Sequence, residues 1–202
     1  MKAADIKTII TSGTVILAVV LYLVFNNSSK EPEQSNNYQI TPELATEATG
    51  NDLIEAQYVS TNDGDTFRVK VNGKEEQIRL LMVDTPEMNY DKNNPMPYAE
   101  EAKSYTLNLL ENASKIELLH DVGPETDNYG RLLTYVFVDD VLLQELLLKK
   151  GYAAVRYIHE PNNTLEEEFR EIEETAKDGQ LNIWENENYL QKDGFHPEVI
   201  EN

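Results

Sequence analysis

The chain has 202 residues, no cysteine, and 37 acidic against 17 basic side chains, for a formal net charge of −20. The length allows one domain with a sizeable core plus appendages, and the missing cysteines exclude a disulfide scaffold, thiolate metal centres and cysteine nucleophiles. The acidity argues against a protein that holds nucleic acid by bulk electrostatic attraction, as basic domains do.

Twenty-two residues from Thr8 to Ser29 carry no charge. At about 1.5 Å per helical residue, roughly twenty of them cross the ~30 Å hydrocarbon core of a bilayer. Lys2, Lys7 and the amino terminus precede the run and an acidic stretch follows it. That asymmetry places the N-terminus in the cytoplasm and the remainder outside. Residues 1–29 are therefore expected to be a single-pass transmembrane signal-anchor, in the membrane through residues 8–29, with the rest extracellular. The rival is a signal peptide that is cleaved to give a secreted protein, although no A-x-A site follows the apolar stretch. Residues 30–54 are polar and acidic, with Pro32 and Pro42, and are expected to be a linker, or stalk, with too little apolar content to fold alone.

A compact domain is expected over residues 55–184, opening with a strand at 55–60. Phe67, Val69 and Val71 alternate with polar residues, Asn72-Gly73 offers a hairpin turn, and Ile78, Leu80 and Met82 alternate again. This predicts two antiparallel strands. A helix follows at 97–112, with Ala99, Ala102, Tyr105, Thr106, Leu109 and Leu110 along one side. Strands are predicted at 115–120 and 132–138, and a helix at 141–150 ended by Gly151. Thr164 opens a third helix, with Glu167 completing a capping box, and the acidic residues from Glu166 to Glu174 read as its solvated face. Residues 185–202 are an acidic C-terminal tail without a functional reading. The order fits an α+β domain, a five-stranded OB-fold β-barrel with three helices, although periodicity alone does not select it over other α+β arrangements.

Asp63-Gly64-Asp65-Thr66 precedes the second strand and, alone, is an ordinary turn sequence. Asp84-Thr85-Pro86-Glu87 follows the third, where Asp84 could equally cap a short helix. Tyr129-Gly130-Arg131 is weak alone. Arg79 is more unusual, because a charge inside Ile78-Arg79-Leu80-Leu81-Met82-Val83 needs a partner or a ligand. Together these pieces describe metal-assisted phosphodiester hydrolysis. Asp65 and Asp84 on adjacent strands, with a backbone carbonyl, are hard oxygen ligands suited to Ca²⁺. Glu87 could act on a water as general base, and Arg79 and Arg131 carry planar forks suited to phosphate oxygens.

These motifs, with Thr126-Asp127-Asn128-Tyr129-Gly130-Arg131, Pro161-Asn162-Asn163-Thr164 and Leu181-Asn182-Ile183-Trp184, resemble the staphylococcal nuclease, or thermonuclease, family from near Ala56 to Trp184. The resemblance implies an OB-fold endonuclease that hydrolyses DNA and RNA with Ca²⁺ as a monomeric domain, leaving 3′-phosphorylated products. It implies Asp65 and Asp84 as calcium-binding carboxylates, Thr85 as a carbonyl ligand, and Glu87 as the residue proposed to activate water. Arg79 and Arg131 match the pair on the scissile phosphate, and Tyr129 and Tyr157 match tyrosines of the nucleotide pocket. Asn128 stands where a lysine is often found, and His159 where a second pocket tyrosine is expected. The alternative is a catalytically silent nucleic-acid- or protein-binding module on the same fold. Such modules lack some of these acidic or arginine positions, all of which are present here. Part of the acidity is local: residues 160–178 carry eight acidic against two basic side chains.

Overall fold

The computed structural model describes residues 40–90 and 94–200. The apolar run at 8–29, and the anchor expected of it, lie outside these residues. Among the described residues no helix is long and apolar enough to cross a membrane.

Strands β1 (Ile54–Thr61), β2 (Thr66–Val71) and β3 (Lys74–Leu80) form an antiparallel meander in which Phe67 faces Ile78 and Val69 faces Glu76. Asn72 and Gly73 join β2 to β3 with φ of 50° and 84°, the two left-handed residues of the hairpin turn whose twist matches its strands. Strand β3 ends at Leu80 instead of continuing through Met82. Met82 is itself left-handed, at φ 57°, and turns the buried chain into the two-residue β4 (Val83–Asp84). The helix α1 (Pro42–Thr49) precedes all of these, and α2 (Ala99–Asn112) follows them, burying Ala99, Ala102, Thr106 and Leu110 as the spacing predicts.

Strand β5 (Ile116–Leu119) pairs antiparallel with β1 and with β6 (Leu132–Val138), and β6 runs parallel to β3, with Ile78 opposite Leu132 and Leu80 opposite Thr134. That parallel seam closes a five-stranded mixed barrel with the OB-fold order. The alternating Phe67, Val69, Ile78 and Leu80 are buried, and β6 is buried on both faces. After β7 (Val141–Leu142), α3 (Leu143–Lys150) ends at Gly151, φ 65°. The short β8 (Ala154–Val155) then pairs with β4, and α4 (Glu166–Asp178) packs against α3 and β8, setting Phe169 edge-on to Tyr135 of β6 at 6.0 Å between ring centroids.

Four local expectations are corrected. Residues 40–54, expected as linker, join the domain: Thr41 caps α1 through its side chain, Gly50 ends the helix, and the Ile40 N–H donates to Oε2 of the buried Glu145 at 3.1 Å. Thr164 does not cap α4, because its hydroxyl and N–H both donate to the Asp121 carboxylate. Glu173 is not on a solvated face; it is buried, accepting the Val155 N–H at 2.7 Å and pairing with Lys177 at 2.8 Å. The C-terminal residues are folded, with a hairpin of β9 (Leu190–Gln191) and β10 (Gly194–Phe195) and a small second core of Ala154, Ile183 and Tyr189.

Candidate active site

Arg79 is the charge inside an apolar strand, and the fold supplies its partners. Its Nη1 lies 3.1 Å from Asp65 Oδ2 and donates to the carbonyls of Val83 at 2.6 Å and Leu80 at 3.1 Å, while Nη2 lies 3.3 Å from Asp84 Oδ1. Asp65 reaches this point because Thr66 opens β2 opposite Arg79 and the Leu80 N–H donates to the Asp65 carbonyl. Asp84 reaches it from β4, which follows the left-handed turn at Met82 and is held by pairing with β8. One guanidinium thus spans the two carboxylates, which are both buried. The Thr85 N–H donates to Asp65 Oδ2 at 3.0 Å and the Thr66 hydroxyl to Asp65 Oδ1 at 2.9 Å. The Asp-Gly pair is more than a turn signal, since a Cβ on Gly64 would lie 2.8 Å from Thr85 Oγ1.

Arg79, Asp84, Glu87, Tyr129, Arg131 and Tyr157 line one cleft of about 400 Å³, completed by Asn128 and His159 among others. Asp65 and Thr85 stand behind its wall. The parallel seam makes this possible: with Arg79 opposite Leu133, the residues just before β6 emerge beside the end of β3. Arg131 is aimed by Asp127, whose Oδ1 accepts the Arg131 N–H at 2.9 Å and whose Oδ2 accepts Nε at 2.6 Å. Burial alone would raise Asp127, but the Arg131 N–H and guanidinium and the Tyr129 N–H outweigh it and hold the carboxyl below its usual range. Tyr129 is the most exposed large side chain of the site, at 86 %, with its ring 5.5 Å from the Arg131 guanidinium carbon. Glu87 sits exposed at the rim.

Two residues of the site had no role in the sequence reading. Asp63 accepts N–H groups from Gly64 and Met88, and Arg156 places Nε 3.6 Å from Asp84 Oδ2. Arg156 carries the signal that Arg79 carried, a charge in an apolar run, Ala153-Ala154-Val155-Arg156-Tyr157-Ile158. Burial, then the neighbouring Asp65, pushes Asp63 up to about 7. Asp84 is pushed up to about 7 by the same two causes, against Arg79 and Arg156.

Both carboxyls therefore bind a proton more tightly in the folded, metal-free protein than in the unfolded chain. A raised folded pKa contributes stability that is present below the ordinary value of 3.8 and is lost as pH rises through about 7. The denaturation midpoint of the chelator-treated protein is expected to fall between about pH 5 and about pH 8. A midpoint that rises over that interval would contradict the assignment. Groups with lowered pKa, such as Asp127 and Glu166, act below the usual carboxylate range and do not oppose the trend.

The donor set fits a hard divalent cation. Asp65 and Asp84 with backbone carbonyls offer oxygen alone, and the buried Thr85 Oγ1 has no hydrogen-bond partner among the described residues. The negative charges of Asp65 and Glu87 help to raise the carboxyls of Asp63 and Asp84, a repulsion that a cation would relieve. Among the described residues no three acidic or imidazole side chains converge tightly enough to hold an ion by themselves, so carbonyl and water oxygens would have to complete the shell.

A family model described as staphylococcal nuclease homologue matches residues 77–186, more than half of the chain. Endonuclease YncB of Bacillus subtilis is 43 % identical over 134 residues, covering 66 % of this chain and 63 % of the relative. The SPbeta prophage-derived endonuclease YokF of the same organism is 39 % identical over 145 residues, covering 72 % of this chain and 49 % of the relative. The chain thus spans less than two thirds of the length of either. Thermonuclease of Staphylococcus intermedius is 30 % identical over 177 residues, covering 87 % of this chain and 98 % of the relative.

Proposed function

Because the chain belongs to the staphylococcal nuclease family, we propose that it is a Ca²⁺-dependent endonuclease that hydrolyses phosphodiester bonds of DNA and RNA, leaving 3′-phosphorylated products. The observation that carries this is the convergence of Arg79, Asp84, Glu87 and Arg131, drawn from separate strands and loops, on one cleft with two tyrosines on its wall. One chain supplies the whole set, so a monomeric domain suffices.

Asp65, Asp84 and the Thr85 carbonyl would hold the ion, which when bound supplies positive charge against the phosphate oxygens. Glu87, at the solvent rim, takes the proton of the attacking water. Arg131 presents its terminal nitrogens to the phosphate, and Arg79 joins it once freed from the carboxylates, so the charge that builds on the oxygens meets two forks. Tyr129 and Tyr157 offer ring faces for a base or sugar.

The test is digestion of plasmid and RNA by the full chain with Ca²⁺ and then with chelator, alongside Glu87→Ser. Cleavage is expected to stop with chelator and to fall about 10²–10⁴-fold in the variant. Calcium-independent cleavage overturns the mechanism, and binding of nucleic acid without cleavage would make the chain a binding module. The uncharged stretch 8–29 supports placing the enzyme at the cell membrane with its catalytic domain outside. Protease shaving of intact cells tests this, and a protected domain would refute it.

A further inference from the structure

Arg79 faces a conflict of duties. In this structure it is bound to two carboxylates and two carbonyls, yet the chemistry above needs it on the substrate phosphate. Moving it strips Asp84 of the partner on Oδ1; a bound cation would share the charge of that carboxylate but would not replace the donor that fixes its orientation. Arg156 stands on the other oxygen, Oδ2. Resting on the metal-site reading above, we propose that Arg156 is a positioning residue for Asp84: it keeps a countercharge on that carboxylate while Arg79 leaves for the phosphate.

The placement of Arg156 is specific. Strand β8 pairs with β4, and the Arg156 N–H donates to the Met82 carbonyl at 2.9 Å, so the side chain leaves the backbone where the left-handed turn delivers Asp84. The Tyr157 ring lies 5.5 Å from the guanidinium carbons of both Arg79 and Arg156. Behind Arg156 stands the β9–β10 hairpin, which lies beyond the stretch matched by the family. A Cβ added at Gly194 would lie 3.8 Å from Arg156 Nη1. The same hairpin is fixed to the loop that carries Glu87, since the Tyr189 hydroxyl donates to the Pro97 carbonyl at 2.6 Å. Arg156 does not line the cleft, which makes it a support for Asp84 and not a substrate contact. Its Nη1 is buried with no hydrogen-bond partner among the described residues. This guanidinium is therefore not held there by a full set of bonds of its own; among the described residues its ion pair within 4 Å is with Asp84, and Asp193 of the hairpin also feels its charge.

The experiment uses the full chain as wild type, Arg156→Ala, Arg156→Lys, Arg79→Ala and the Arg79→Ala/Arg156→Ala double variant. Calcium binding is read by calorimetry and turnover by steady-state kinetics. Arg156→Ala is expected to bind Ca²⁺ several-fold more tightly, because a competing positive charge is gone, and yet to lose about tenfold in kcat. Arg156→Lys, which keeps the charge, is expected to return calcium affinity to the wild-type value and to recover part of kcat. In the Arg79→Ala background the same Arg156→Ala change is expected to cost less than about twofold, since the two residues then act as one unit. Equal losses in both backgrounds, an unchanged kcat, or weakened calcium binding with a lowered melting temperature would each overturn the proposal. Failure of the wild type to bind any Ca²⁺ would remove the metal-site reading and this inference together, which separates that failure from the others.

Discussion

Arg131→Ala is expected to lower kcat by about 10²–10³-fold, the usual loss when one preorganised donor to a developing oxyanion is removed. The geometry sets this arginine apart from Arg79. Among the described residues its guanidinium makes one hydrogen bond, from Nε to Asp127, so the two terminal nitrogens are uncommitted and stand in the cleft. Asp127 takes the Arg131 N–H and Nε on its two oxygens and the Tyr129 N–H as well. Little reorganisation is then needed when the substrate arrives, which is the condition for a large electrostatic contribution. Arg131→Lys keeps a charge but loses the fork and the Nε bond, and is expected to recover no more than about tenfold of the loss. Stability should hardly change, because a partly exposed ion pair contributes only about 0–1 kcal/mol. Steady-state kinetics with thermal melts on the same samples check both statements, and a kcat within about threefold of wild type would remove Arg131 from the mechanism.

The largest effect on stability is expected at Asp121, outside the cleft. This buried carboxylate accepts the Val122 N–H at 2.7 Å, the Tyr135 hydroxyl at 2.5 Å, the Thr164 N–H at 3.0 Å and the Thr164 hydroxyl. Asp121→Ala leaves the buried Tyr135 hydroxyl and three part-buried donors without their acceptor, at a cost of about 1–3 kcal/mol. Burial, together with the hydrogen bond to Asp121, pushes the Tyr135 hydroxyl well above the usual phenol range, so it stays a donor and cannot adapt. Asp121→Asn keeps one acceptor oxygen and is expected to fall between the two. Urea midpoints measure the series, and an Asp121→Ala change below about 1 kcal/mol would show that the network is not tight. The same network roots the loop that carries Asp127, Tyr129 and Arg131, so the weakened variants should lose activity before they unfold.

Much of this was legible in the sequence because local patterns and tertiary demands agree. The alternation through Phe67, Val69, Ile78 and Leu80 sets the barrel interior, Asn72-Gly73 sets the turn, and the charge at Arg79 marks the site. Where they disagree, tertiary contacts decide. Helix α1 was hidden because its apolar content is small: Ile40 and Ala45 are completely buried only because Glu145 and the core receive them. Thr164 carries a good capping sequence, but a buried carboxylate outbids the helix for its hydroxyl. Glu173 looks like its acidic neighbours until Val155 supplies a backbone N–H. Arg156 and Asp84 are 72 positions apart and meet only through a two-residue strand pairing, which no spacing rule reveals.

The parallel seam between β3 and β6 has a consequence for how activity appears during folding. The β1–β3 meander carries Asp65 and Arg79 and leads on to Asp84 and Glu87, while the β5–β6 pair carries Tyr129 and Arg131 on its connecting loop. Each of these pieces is built from contacts close in sequence. They are joined along two seams, β1–β5 and β3–β6, whose partners are more than fifty residues apart. Closing such long loops costs chain entropy before any pairing offsets it, so distant seams are slow to form. Neither piece holds both the carboxylates and the second arginine. In a refolding experiment the return of the proposed phosphodiester cleavage therefore times the closing of the barrel and cannot run ahead of it.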